Sequence, residues 1–116
     1  MPSESSRRAL FYTPEFKRNL RLLSRRYRHI RLDLTPVLDR IQAGETPGQQ
    51  VPGVKFTVFK VRVKNTDARK GVRGGYRLIY YLPTPHKAIL VTVYSKSDQA
   101  DISLQHIRQI IQNYEA

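Results

Sequence analysis

Apolar residues recur in two rhythms along this chain, and the switches between them mark its elements. Phe16, Leu20, Leu23 and Tyr27 repeat at steps of three and four, which lines up one face of an α-helix. Thr13 ahead of them suits the N-cap, Pro14 the first helical position, and Glu15 the positive helix start. Lys17, Arg18, Arg21, Arg25 and Arg26 cover much of the rest of that helix. A second helical pattern lies within Arg28–Gln42, through Ile30, Leu34, Val37 or Leu38, and Ile41. Pro36 interrupts it, so the helix either kinks there or restarts with Thr35 as its cap; one kinked helix is the expectation. DISLQHIRQIIQNY brings Ile102, Ile107, Ile110 and Ile111 close to one face of a last helix, with Asp101 or Ser103 at its start.

A period of two governs other stretches. Arg8–Tyr12 reads as a short strand with Ala9 and Phe11 on one face. Phe56–Lys64, Tyr76–Leu82 and Ala88–Lys96 read as three more. PTPH is short enough to make the last two an antiparallel hairpin. Ala43–Gly53 is a loop by composition, and Asn65–Gly75 a basic loop expected to project and move. The predicted order is β-α-α-β-β-β-α in one domain spanning 1–116, with 1–7 a loose tail. This is an α+β fold, a small and mostly antiparallel sheet with helices packed on one face. The other face is then left for solvent or a ligand.

Side-chain alternation decides what that face carries. Phe59, Val61 and Val63 share one side of their strand, and Lys60, Arg62 and Lys64 the other. The apolar set belongs under the helices. In the next strand Arg77, Ile79 and Tyr81 share a face, and turning Arg77 outward avoids burying an unpaired guanidinium. In the third strand Ile89, Val91 and Val93 form an apolar set, and Thr92, Tyr94 and Lys96 fall outward. Any one-sided sheet alternates apolar and charged residues, so Lys60 or Arg62 alone carries no more than that. Three cations in register with Arg77 and Lys96, and no acids on those strand faces, favour a phosphate-binding surface. Arg grips phosphate with a planar fork, Lys acts as a point charge, and tyrosine rings offer surfaces on which bases stack.

Charge sharpens this picture. The 116 residues carry 21 Lys and Arg against 9 Asp and Glu, a net +12, which calls for a polyanionic partner such as nucleic acid or an acidic protein. No apolar run approaches the ~20 residues that span a bilayer, and no membrane partner is expected. With no cysteine, disulfides and thiolate metal sites are excluded. Arg7 and Arg8 have no apolar stretch behind them to make a secretory signal, and a cytoplasmic location is expected. There is no GxxxxGK[ST] phosphate loop, and the glycines of KGVRGGYR read as turn residues. His29, His86 and His106 lie far apart in sequence, and Asp98 and Asp101 are expected to cap a helix, so no metal site or other cofactor is expected.

RNA cleavage needs neither. The 2′-hydroxyl can attack its own neighbouring phosphate, and preorganised cations stabilise the charge that builds there. A lysine crowded by arginines has a lowered pKa and is a conceivable base.

The FKVRVKN strand, the GGYRLIYY strand, the VTVYSKSDQADIS segment and the element order together resemble the RelE/HigB group of the RelE/ParE superfamily, small basic toxins of bacterial toxin–antitoxin modules. The resemblance runs from about Leu10 to Ile111. It implies a metal-independent mRNA endonuclease that works in the ribosomal A site and leaves a 2′,3′-cyclic phosphate and a 5′-hydroxyl. It also implies a cognate acidic antitoxin, with the free toxin monomeric and the complex oligomeric. By position, Lys60 is implied as base, Arg77 as phosphate clamp, Lys96 as acid or charge stabiliser, Arg62 as support for the transition state, and Tyr94 as the residue that orients a base. Lys64, Lys70 and Arg73 are implied as RNA-binding, the latter two toward ribosomal RNA or message backbone. Ser97 stands where some relatives have arginine after that lysine, and the next tyrosine, Tyr114, lies far along the last helix. The same superfamily includes inhibitors of DNA gyrase, and a non-catalytic RNA- or ribosome-binding module would present the same basic surface.

Overall fold

The computed structural model describes residues 7–68 and 74–115. Its elements are β1 (Ala9–Tyr12), α1 (Pro14–Arg26), α2 (Ile30–Gln42), β2 (Gln49–Gln50), β3 (Val58–Val63), β4 (Tyr76–Thr84), β5 (Lys87–Ser95) and α3 (Leu104–Glu115). The sheet runs β1-β5-β4-β3-β2. β1 lies parallel to β5 and every other pairing is antiparallel. The fold is therefore α+β with a mixed, mostly antiparallel sheet. β2, inside the stretch expected to be loop, is the one strand that composition hid. Gly48 lets it dock: its φ is +89°, and a Cβ there would collide with the Lys60 carbonyl.

Thr13 caps α1 as expected. Its hydroxyl accepts from Phe16 N at 3.0 Å and donates to the buried Val91 carbonyl at 2.7 Å, so one side chain starts the helix and fixes it to β5. α2 runs on through Pro36 as a single helix. Thr35 does not restart it; its hydroxyl bonds back to the Arg31 carbonyl at 2.7 Å. Arg8 holds the approach to β1 in place, donating to the carbonyls of Pro85, Ile41 and Glu45.

The helices do not share one face, which corrects the expected layering. Phe16, Leu23, Ile30, Leu34 and Ile41 of α1 and α2 pack on Val61, Val63, Tyr76, Leu78, Tyr80 and Leu90. Ile107, Ile110 and Ile111 of α3 pack on the opposite side, against Val58, Ile79, Tyr81, Ile89 and Val91. β4 is the reason: it carries apolar side chains on both faces, and each isoleucine that α3 buries there contributes roughly 1.5–3 kcal/mol.

β5 departs from strict alternation as well. Ile79 pairs with Thr92 but Tyr80 with Leu90, leaving Val91 as an extra residue. Val93 thereby joins the α1–α2 core, while Ile89, Val91 and Tyr94 face α3. A bulge of this kind re-aims the side chains beyond it.

Candidate nucleic-acid interface

Three strands converge at one end of the sheet, on the side that α3 packs against. Arg62 of β3 stands opposite Arg77 of β4, and Arg77 opposite Tyr94 of β5. This makes one cross-strand row on the α3 side. Lys60 sits two residues back along β3, opposite Ile79. Lys64 and Lys96 follow the ends of β3 and β5, both exposed. The Lys96 backbone N–H continues the ladder to the Gly75 carbonyl at 2.9 Å. Lys60, Arg62, Arg77 and Tyr94 are thus brought together, with Lys64 and Lys96 at the margin. Lys70 and Arg73 lie outside the described residues.

The two arginines of the row differ. Arg62 is exposed, whereas Arg77 is only 4% exposed and donates to the Tyr76 carbonyl at 3.1 Å. Burial first, and the Arg62 charge second, pull the Arg77 guanidinium below arginine's usual value. Like charges directly opposite each other across a sheet are destabilising, by roughly 0.2–1 kcal/mol. Tyr94, 5% exposed, has its hydroxyl pushed up to about 12 by burial and then by the Asp101 carboxylate, with Arg77 opposing.

Asp101 is the residue that sequence reasoning missed at this site. Its Oδ1 accepts from Lys60 Nζ at 3.0 Å, from the Tyr94 hydroxyl at 3.4 Å and from Ile102 N at 2.8 Å. The Ile102 N–H and the Lys60 ammonium hold its carboxyl below the usual range. Of the two residues expected at the start of the last helix, Ser103 caps it, its hydroxyl accepting from His106 N at 3.1 Å, and Asp101 does not. Asp98, the other expected cap, forms a twofold bond with Arg26 Nη1 at 2.8 and 2.9 Å. Asp101 also alters the premise for Lys60, which faces a carboxylate as an ion pair instead of standing among uncompensated cations. The only signal for this in the sequence was an acid placed shortly after Tyr94, in a segment whose path back across the sheet the pattern did not reveal.

The base of the basic loop is anchored. Asn65 Oδ1 accepts from the N–H groups of Asp67 and Ala68. Asp67 in turn holds the backbone N–H of His29, at 2.9 Å, and its ring Nδ1, at 2.7 Å, and Thr66 bonds to Asp33. His106 meets Glu15 on the opposite flank at 3.2 Å. Among the described residues no three His, Asp or Glu side chains gather where they could hold a metal ion, and no helix is long and apolar enough to cross a membrane.

Of this group Arg62 is exposed and Lys60 partly so, while Arg77 and Tyr94 lie buried beside them. No protein-family model matches the chain, and no curated protein sequence matches it.

Proposed function

We propose that this protein is a ribosome-dependent mRNA endoribonuclease acting in the cytoplasm as the toxin of a type II toxin–antitoxin module. The observation that carries the reading is the Arg62–Arg77–Tyr94 row with Lys60 beside it. A cluster kept at a cost in stability is accounted for when an RNA phosphate covers it. In this reading Arg77, held rigid by its burial and its backbone bond, clamps the scissile phosphate. Arg62 stabilises the charge that grows on the phosphorane. Lys60, once its ammonium has given its own proton to solvent, accepts the proton of the attacking 2′-hydroxyl, and Lys96 donates to or stabilises the departing 5′-oxygen. Tyr94 orients the neighbouring base. Lys64, with Lys70 and Arg73 of the loop, would add backbone contacts whose strength falls steeply with salt. The partner that silences the site would be an acidic antitoxin, complementary to the net +12 charge.

Lys60→Ala, Arg77→Ala and Lys96→Ala should each abolish growth arrest on induction while the purified variants still fold. If all three remain fully toxic, the site is wrong. Mapping of message 5′ ends after brief induction should show cuts within A-site codons. Intact message under arrested translation would instead point to a non-catalytic ribosome binder, and loss of supercoiling by purified gyrase to a gyrase inhibitor.

A further inference from the structure

Lys60 and Tyr94 come from the strands on either side of β4, and one oxygen joins them. Asp101 Oδ1 takes the Lys60 ammonium and the Tyr94 hydroxyl together, and the Arg77 charge acts on the same tyrosine. An oxyanion held by an ammonium and a phenol, with a guanidinium nearby, is also a description of a bound phosphate oxygen. The carboxylate is loosely seated. Its side chain is 65% exposed and it belongs to the irregular segment 96–103 between β5 and α3. Lys60 is only partly buried too, at 37% side-chain exposure, so this ion pair is of the solvated, weak kind.

We propose that Asp101 is a built-in stand-in for substrate: its carboxylate occupies the place on Lys60 and Tyr94 that an RNA phosphodiester takes, and RNA must expel it to bind. This rests on the phosphate-facing reading above and adds an order of events to it. In the free protein the Asp101 charge offsets Lys60. On binding, the phosphodiester replaces the carboxylate as the partner of the Lys60 ammonium and brings the ribose beside it; Lys60 deprotonates the 2′-hydroxyl only after giving its own proton to solvent. The Tyr94 hydroxyl exchanges one anionic acceptor for another and stays neutral. Free RNA is thereby disfavoured relative to RNA held in place by a larger assembly, which supplies the additional binding energy needed to displace Asp101.

The test uses the full chain and a short RNA with 2′-O-methyl riboses, which binds without being cleaved. Dissociation constants are measured at low salt for wild type, Lys60→Ala, Asp101→Asn and the double variant. Asp101→Asn should tighten binding about fivefold, the change that corresponds to ~1 kcal/mol for an exposed pair. Lys60→Ala should weaken it, and the double variant should match Lys60→Ala alone. Unchanged or weaker binding by Asp101→Asn, alongside a weakened Lys60→Ala, overturns the stand-in. So does a tightening that persists undiminished without Lys60, because that is only the removal of a nearby negative charge. If Lys60→Ala binds as wild type does, the phosphate-facing strand is wrong and the proposal falls with it. A second measurement needs no variant: in wild type the 13C resonance of the Asp101 carboxyl should titrate at higher pH once the oligonucleotide is bound. An unmoved midpoint counts against displacement.

Discussion

The Tyr94 hydroxyl offers a quantitative check on how closely the end of the sheet is packed. Burial and the Asp101 carboxylate push it up to about 12, while in the unfolded chain it returns to about 10. The folded state therefore keeps a proton that the unfolded state releases. Stability from this group is intact below pH 10 and is lost as pH rises toward 12. With those two values the loss is on the order of 1 kcal/mol at pH 11 and 2 kcal/mol at pH 12. Tyr76, Tyr80 and Tyr81 are raised in the same direction, in each case mainly by burial, so wild type should unfold steeply in alkali. Tyr94→Phe removes one contributor and leaves the others. Among the described residues the Tyr94 hydroxyl makes one long hydrogen bond, to an exposed carboxylate, so at pH 7 the variant's stability should stay within about 1 kcal/mol of wild type. Relative to wild type it should then gain on the order of 1 kcal/mol between pH 9 and pH 11. Urea melts followed by circular dichroism across that range give the difference directly, because the other titrating groups cancel between the two proteins. A gap independent of pH would mean that the Tyr94 hydroxyl is solvated, and the packed arrangement around Asp101 would be refuted.

Two structural substitutions test how the site is held. Gly48→Ala forces a side chain into left-handed backbone and onto the Lys60 carbonyl; a loss of about 2 kcal/mol or more is expected, read as a Tm lowered by several degrees, and an unchanged Tm would show that β2 does not dock as described. Thr13→Ala removes both the cap of α1 and its bond to Val91. It should lose about 1–3 kcal/mol in urea denaturation, with Thr13→Ser recovering most of it.

The period-two alternation of β3 and the neighbouring β4 residue were enough to put Lys60, Arg62 and Arg77 on one face, but not to foresee that Arg77, turned outward to avoid burial, is buried there. The same alternation failed in β5, where the extra residue Val91 shifts Val93 to the opposite side. Such a bulge leaves no mark in hydrophobicity, since both of its faces are apolar. The position of α3 was legible in principle. Tyr76, Leu78 and Tyr80 alternate with Ile79 and Tyr81, so β4 has to be covered on both sides, and the isoleucine stripe of α3 was the cover to hand. That stripe alone shows only that the helix has a buried face, not which side of the sheet it meets. Asp101 was not legible at all, because its role depends on the path of an irregular segment and not on a periodic one.

The placement of α3 bears on why a row of cations survives in this fold. Two cores, one on each side of β4, clamp the strand through Tyr76, Leu78 and Tyr80 on one face and Ile79 and Tyr81 on the other. The few tenths to 1 kcal/mol lost by facing Arg62 with Arg77 is small beside the several buried apolar side chains that hold the strands in register. That same rigidity leaves Arg77 little freedom to swing away from Arg62, and an anion brought to the row would further offset the exposed Arg62 charge. Asp101 supplies one beside Lys60, on a segment without regular structure, anchored through Asp98 on Arg26 and by the cap at Ser103. The division of labour follows from the physics: the cations sit on strands, where they cannot relax, and the counter-anion sits on the segment between β5 and α3, where it can be exchanged.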